Sequence, residues 1–126
     1  MAAGVRFITP GERVEGAPTP GMTREEAIVT DRIWAGLVRT EPGTISAWHH
    51  HGDYETAVYI LEGGLRMEWG PGGSEAGEGR AGDFLFVPPH TVHREITPEH
   101  QAAQAIVVRS GTGTPVFNVD GPEPGP

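Results

Sequence analysis

Gly43-Thr44-Ile45-Ser46-Ala47-Trp48-His49-His50-His51-Gly52-Asp53-Tyr54-Glu55 and, further along, Gly82-Asp83-Phe84-Leu85-Phe86-Val87-Pro88-Pro89-His90-Thr91-Val92-His93 are the two stretches on which the reading of this chain turns. They hold all the histidines except His100. Side chains two apart on a strand share a face, so His49 and His51 can converge while His50 points away. Glu55 follows closely, and His90 and His93 come after a short apolar run of the buried type. Two neighbouring strands of one barrel could bring these groups together. Imidazoles with a carboxylate suit Fe, Mn, Ni, Zn or Cu rather than Ca or Mg. Three or four protein ligands leave coordination positions open for water or substrate. A single strand histidine is more often packed or solvated than a ligand, and His100, in Thr97-Pro98-Glu99-His100, reads as solvated loop.

Working outward, strand-like pieces alternate with turn signals. Arg32 to Thr40 and Thr44 to His51 flank Glu41-Pro42-Gly43. Glu55 to Leu61 ends at Gly63-Gly64, and Leu65 to Trp69 ends at Gly70-Pro71-Gly72-Gly73. Then come Glu75 to Arg80, Phe84 to Val87 as a brief buried-type run, Thr91 to Ile96, Ala102 to Ser110, and Val116 to Val119 as an edge strand. Short strands at this spacing with Gly/Pro turns imply an all-β sandwich or barrel. The one helical candidate is Thr23 to Ala27, with Thr23 as its cap. Residues 1–22 read as an extended arm, 23–119 as the barrel domain and 120–126 as a disordered Pro/Gly tail.

Composition narrows the function. The chain has 126 residues, the size of one domain. Its 19 glycines and 12 prolines account for a hydrophobic share of only 37%. The absence of cysteine removes disulfides and thiolate ligands, and the absence of lysine removes Schiff-base chemistry by a side chain. A formal net charge of −8 argues against nucleic acid as a partner. No apolar run approaches the roughly 20 residues of a membrane span, and the first residues lead into no secretory stretch, so a soluble cytoplasmic protein is expected.

The two quoted stretches resemble the paired motifs of the cupins. Gly43-x5-His49-x-His51-x3-Glu55, with Gly63 beyond, is similar to the first, and Gly82-Asp83-x4-Pro88-x4-His93 to the second. The resemblance implies a small single-domain cupin, a double-stranded β-helix or jelly-roll-like barrel, with one divalent transition metal on His49, His51, Glu55 and His93. Two departures matter. Glu62 stands where the family has glycine, and Gly63 comes one residue later. Counting back from Gly63 puts Thr56 in the place of the carboxylate ligand, and Glu55 and Thr56 cannot both face inward on a regular strand. Glu55 is therefore a ligand helped by a bulge or a group behind the ligands, and a three-histidine site is the alternative. In the second motif His90 replaces the glycine after proline, and Thr97 replaces the terminal asparagine.

Glu55 and His90 are the candidate catalytic residues. The aromatics Trp34, Trp48, Trp69, Tyr59, Phe84 and Phe86 are read as core. Of Arg39, Arg66, Arg94 and Arg109, most should face water, and one turned inward could clamp a carboxylate with its planar fork. The resemblance implies a metal-dependent enzyme acting on a small organic molecule, with dioxygenases, isomerases, cyclases and lyases as the reaction classes; neutral histidine ligands leave a positive charge that an anionic substrate would satisfy. A non-catalytic binding or sensor module is the alternative, and a storage role a third reading. The resemblance also implies a homodimer, with the arm before Thr23 crossing to the partner; the charge and the lack of a long apolar run lead to no nucleic-acid or membrane partner being expected.

Overall fold

A computed structural model of the chain describes residues 4–16 and 19–124. The expected arm thus falls partly, at residues 1–3 and 17–18, outside the described residues, as does the expected tail at 125–126. Eleven strands are present among the described residues: β1 Val14–Glu15, β2 Met22–Val29, β3 Ile33–Thr40, β4 His49–His50, β5 Glu55–Glu62, β6 Gly64–Trp69, β7 Glu75–Arg80, β8 Phe84–Val87, β9 His93–Ile96, β10 Ala103–Ser110 and β11 Phe117–Asn118. Short 3₁₀ turns lie at Pro10–Glu12 and Pro71–Gly73. All pairings are antiparallel, in a six-stranded sheet ordered β1-β2-β3-β10-β5-β8 and a five-stranded sheet ordered β11-β4-β9-β6-β7.

Strand periodicity sorts the side chains. On β10, Ala103, Ala105, Val107 and Arg109 face inward. On β5, Thr56, Val58 and Ile60 do so. Val58, Ala105 and Val107 form the core cluster, with Trp34, Val38 and Leu85 packed on it. The connection from β5 to β6, which carries the chain from one sheet to the other, turns through Gly63 at φ +73°, where a Cβ would collide with the Ala102 carbonyl oxygen; only glycine fits both constraints.

Three expectations are corrected. Thr23 to Ala27 is not helical but part of β2, which pairs with β3 from Met22↔Thr40 to Val29↔Trp34 across an irregularity between Glu26 and Ile28. A full-length ladder and the burial of Met22 outweigh the weak helix propensity of Thr-Arg-Glu-Glu-Ala. Within Thr44 to His51, only His49–His50 is regular strand. Before it, Ile45 makes an isolated bridge to Ile96, and the Ser46 N–H donates to the Glu95 carbonyl. Phe84 and Phe86 are not core: they are 78% and 59% exposed, because β8 turns Leu85 and Val87 inward instead. Phe84 packs on Tyr59 across the outer face, ring centroids 4.7 Å apart. Within the arm, β1 pairs with β2 (Val14↔Glu26). The tail is placed as far as Pro124, the Gly72 N–H donating to the Glu123 carbonyl at 2.9 Å.

Candidate metal centre

Strand β4 lies between β9 and β11, with His49 opposite His93 on one side and Asn118 on the other. That pairing sets the His49 and His93 rings side by side, centroids 4.3 Å apart. His51, just past the end of β4 on the same face, completes the group at 5.1 Å from each of the other rings. All three are buried, and one nitrogen from each lies within 4.8 Å of the others.

Hydrogen bonding settles which nitrogens face the centre. Nδ1 of His49 donates to the Ala47 carbonyl at 2.7 Å, Nδ1 of His51 to Pro115 at 2.8 Å, and Nδ1 of His93 to Thr91 at 2.9 Å. A carbonyl only accepts, so each Nδ1 carries the proton and each Nε2 presents a lone pair. This is the tautomer a metal ligand needs, with its outer nitrogen anchored. His93 Nε2 is buried without any hydrogen-bond partner. Such an atom costs about 1–3 kcal/mol if nothing meets it.

Burial favours the neutral form of two of these rings, His51 and His93. Burial pushes the His51 pKa down from 6.5 to about 3, helped by the nearby Arg109 guanidinium. His93 is lowered too, again chiefly by burial. Neutral imidazole is the ligand form, so no proton need be displaced at neutral pH. The fit to a divalent transition metal is good: three convergent nitrogens, each ring anchored, one conspicuously unpartnered.

Glu55 does not join them. It lies on the exposed outer face of β5, while Thr56 points inward and is 2% exposed. No bulge inverts the strand there: Thr56 pairs regularly with Arg109 on one side and Val87 on the other. The alignment counted from Gly63 therefore gives the right face, and the carboxylate is replaced by a hydroxyl. His90 is also outside the centre. Its exposed ring meets Asp53 (Nε2 to Oδ1, 2.6 Å), and its backbone takes φ 57°, a left-handed angle natural to the glycine of the family pattern at that position. His50 turns away as expected, stacking on Phe117 at 4.9 Å. His100 is exposed.

A cavity of about 520 Å³ adjoins His49 and His51 and is lined also by Trp34, Tyr54, Thr56, Glu95 and Arg109. A second, of about 580 Å³, reaches His93 past Met67, Trp69, Leu85 and Val87. Of the strand arginines, Arg39 reaches Glu41 at 3.7 Å, and Arg66 and Arg94 pair with Glu68 at 3.2 and 2.7 Å. Only Arg109 of these four is buried, with its guanidinium 5.2 Å over the Trp34 ring.

A family model described as "Cupin domain" matches residues 36–109. The chain belongs to the cupin family. The uncharacterized protein YdbB of Bacillus subtilis (strain 168) is 30% identical over an alignment of 69 positions that covers 48% of this chain and 59% of that one. Among solved structures, KdgF from Halomonas sp. superposes with a TM-score of 0.73 at 23% identity, covering 87% of this chain and 96% of its own. The polyketide cyclase RemF from Streptomyces resistomycificus superposes at 0.76 and 22% identity, covering 92% and 86%. At that identity the likeness establishes the cupin double-stranded β-helix fold. No helix among the described residues is long and apolar enough to cross a membrane.

Proposed function

We propose that this cupin is a metal-dependent enzyme whose centre, one divalent transition metal on His49, His51 and His93, acts on a small anionic organic molecule. The observation that carries the proposal is the set of three inward Nε2 lone pairs, each ring fixed by a backbone carbonyl, with His93 Nε2 otherwise unpartnered. With Glu55 on the outer face, every protein ligand is neutral, so a bound dication keeps its full charge and favours an anion. When bound, the metal supplies Lewis-acid polarisation of a substrate oxygen. The chain's own part is to hold the three imidazoles oriented, each through a backbone carbonyl, and to enclose the substrate in the adjoining cavity. That RemF, of similar shape, is named a polyketide cyclase supports the enzymatic reading over a passive binding module.

The test is elemental analysis of protein purified without added metal or chelator, beside a His49→Ala/His51→Ala double variant. Near-stoichiometric Fe, Mn, Ni, Zn or Cu in the wild type and none in the variant is expected. A wild type that holds no metal and takes none up on reconstitution would refute the centre. With metal in place, metal-dependent turnover in screens of small organic acids and diketones separates an enzyme from a sensor.

A further inference from the structure

The buried side-chain nitrogen and oxygen atoms without a hydrogen-bond partner, among the described residues, are His93 Nε2, Thr56 Oγ1 and Arg109 Nε. The first belongs to the histidine centre. The other two are direct cross-strand neighbours on the inner face of the six-stranded sheet, where the register runs Trp34↔Arg109↔Thr56 across β3, β10 and β5. Both line the cavity that His49 and His51 also line. Arg109 is 9% exposed and Thr56 2%.

A structural arginine at such a depth normally meets a carboxylate, because an unpaired buried charge is costly. No carboxylate among the described residues lies within ion-pair distance of Arg109. Glu95, from β9, and Arg24 and Tyr54 act on it only at longer range, and Glu26 lies further along the same cavity wall. Trp34, on β3, supports the guanidinium from one side, and Thr56, on β5, is its cross-strand neighbour on the other. Arginine's fork suits the planar, two-oxygen geometry of a carboxylate.

We infer that Arg109 and Thr56 form a carboxylate-binding subsite, so that the cavity takes an organic acid whose carboxylate rests on this pair while a second oxygen faces the three imidazoles. The destination of the second oxygen rests on the metal reading above; the subsite itself does not. Arg109 then has two effects from one position: it repels protons from His51 and His93, and it fixes the end of the ligand remote from the reacting oxygen.

The experiment titrates pyruvate, and 2,3-butanedione as its uncharged counterpart, calorimetrically into wild type, Arg109→Gln and Thr56→Val. Each protein is tested metal-stripped and loaded with Co(II), whose uptake is measured by elemental analysis. A charge-assisted pair of donors is worth about 10- to 100-fold in affinity. Wild type should therefore prefer pyruvate by at least about ten-fold. Metal-stripped R109Q should lose that preference, metal-stripped T56V should lose part of it, and R109Q should take up Co(II) as wild type does. A preference retained in metal-stripped R109Q, or metal-stripped wild type showing no preference or no pyruvate binding, overturns the subsite. If R109Q does not fold, T56V carries the test, and an unchanged preference in it overturns the pairing. If wild type takes up no Co(II), the metal reading fails, and the metal-stripped titrations still judge Arg109.

Discussion

Lowering the pH of the metal-free protein from 7 to 5 should destabilise it through the buried histidines. His51 has an ordinary pKa of 6.5 when unfolded and about 3 when folded. The unfolded chain therefore binds more protons than the folded one between those values. Stability is fully present above pH 6.5, falls as the pH drops towards 3, and levels off below. From pH 7 to pH 5, linkage for this one group gives a loss of about 2 kcal/mol. His93 is shifted in the same direction and adds to the loss. With a urea m-value of about 1–3 kcal/mol per molar for a small domain, the midpoint should move down by about 1 M. Carboxylates titrate mostly below this window, so the histidines dominate it. The assay is equilibrium urea unfolding of chelator-treated protein at pH 7 and 5, for wild type and His51→Gln. The variant's midpoint should be less pH-sensitive, whatever its absolute stability. Equal midpoints at the two pH values in wild type, or an undiminished pH dependence in the variant, would refute the reasoning.

Glu55→Gln should leave metal stoichiometry unchanged while His93→Ala abolishes it, since only the latter side chain faces the centre; elemental analysis of both decides. Ile60, 1% exposed, should cost about 2–5 kcal/mol on truncation to alanine, measured by urea unfolding. Gly63→Ala should cost more than Gly82→Ala. Both have positive φ, for which a left-handed alanine costs about 1–2 kcal/mol, but only at Gly63 does the new Cβ strike backbone. Two aromatics on the outer face of β8, Phe84 and Phe86, leave a surface suited to pairing. If the homodimer implied by the family uses it, Phe84→Ser/Phe86→Ser should shift the light-scattering mass towards the monomer.

Much of the site was legible because period two is unforgiving. Once His49 and His51 are placed on one face, His50 must leave it. The carboxylate was less legible. Two countings put Glu55 or Thr56 inward, and only the ladder Arg109↔Thr56↔Val87 decides between them. Arg109 was recoverable in principle: taking Gln104 as outward phases Ala103, Ala105, Val107 and Arg109 inward. Apolar Ile106 and Val108 on the other phase blur that signal. The same blur hides the direction of Phe84 and Phe86, since a continuous apolar run does not say which half of it is buried. The β2 strand was missed because Thr-Arg-Glu-Glu-Ala carries helix-forming residues, whereas what fixes it is a partner strand remote from any local pattern. The carbonyl of Pro115, which anchors His51, leaves no trace in residue type because any residue supplies one.

The corner that carries the histidines is thinly laddered: β4 is two residues long, meeting β9 through a single residue pair and β11 through two. A metal held by His49 and His93 would act there much as a cross-link does, closing a loop of about 45 residues and removing about 4 kcal/mol of chain entropy from the unfolded state. The rest of the barrel, from β2 to β3, β10 and β5, is sewn along its length and has no need of that staple. Stripping the metal should thus release one end of the molecule first. Amide exchange at His49, His50 and Phe117 would then quicken well ahead of exchange at Val58 or Val107.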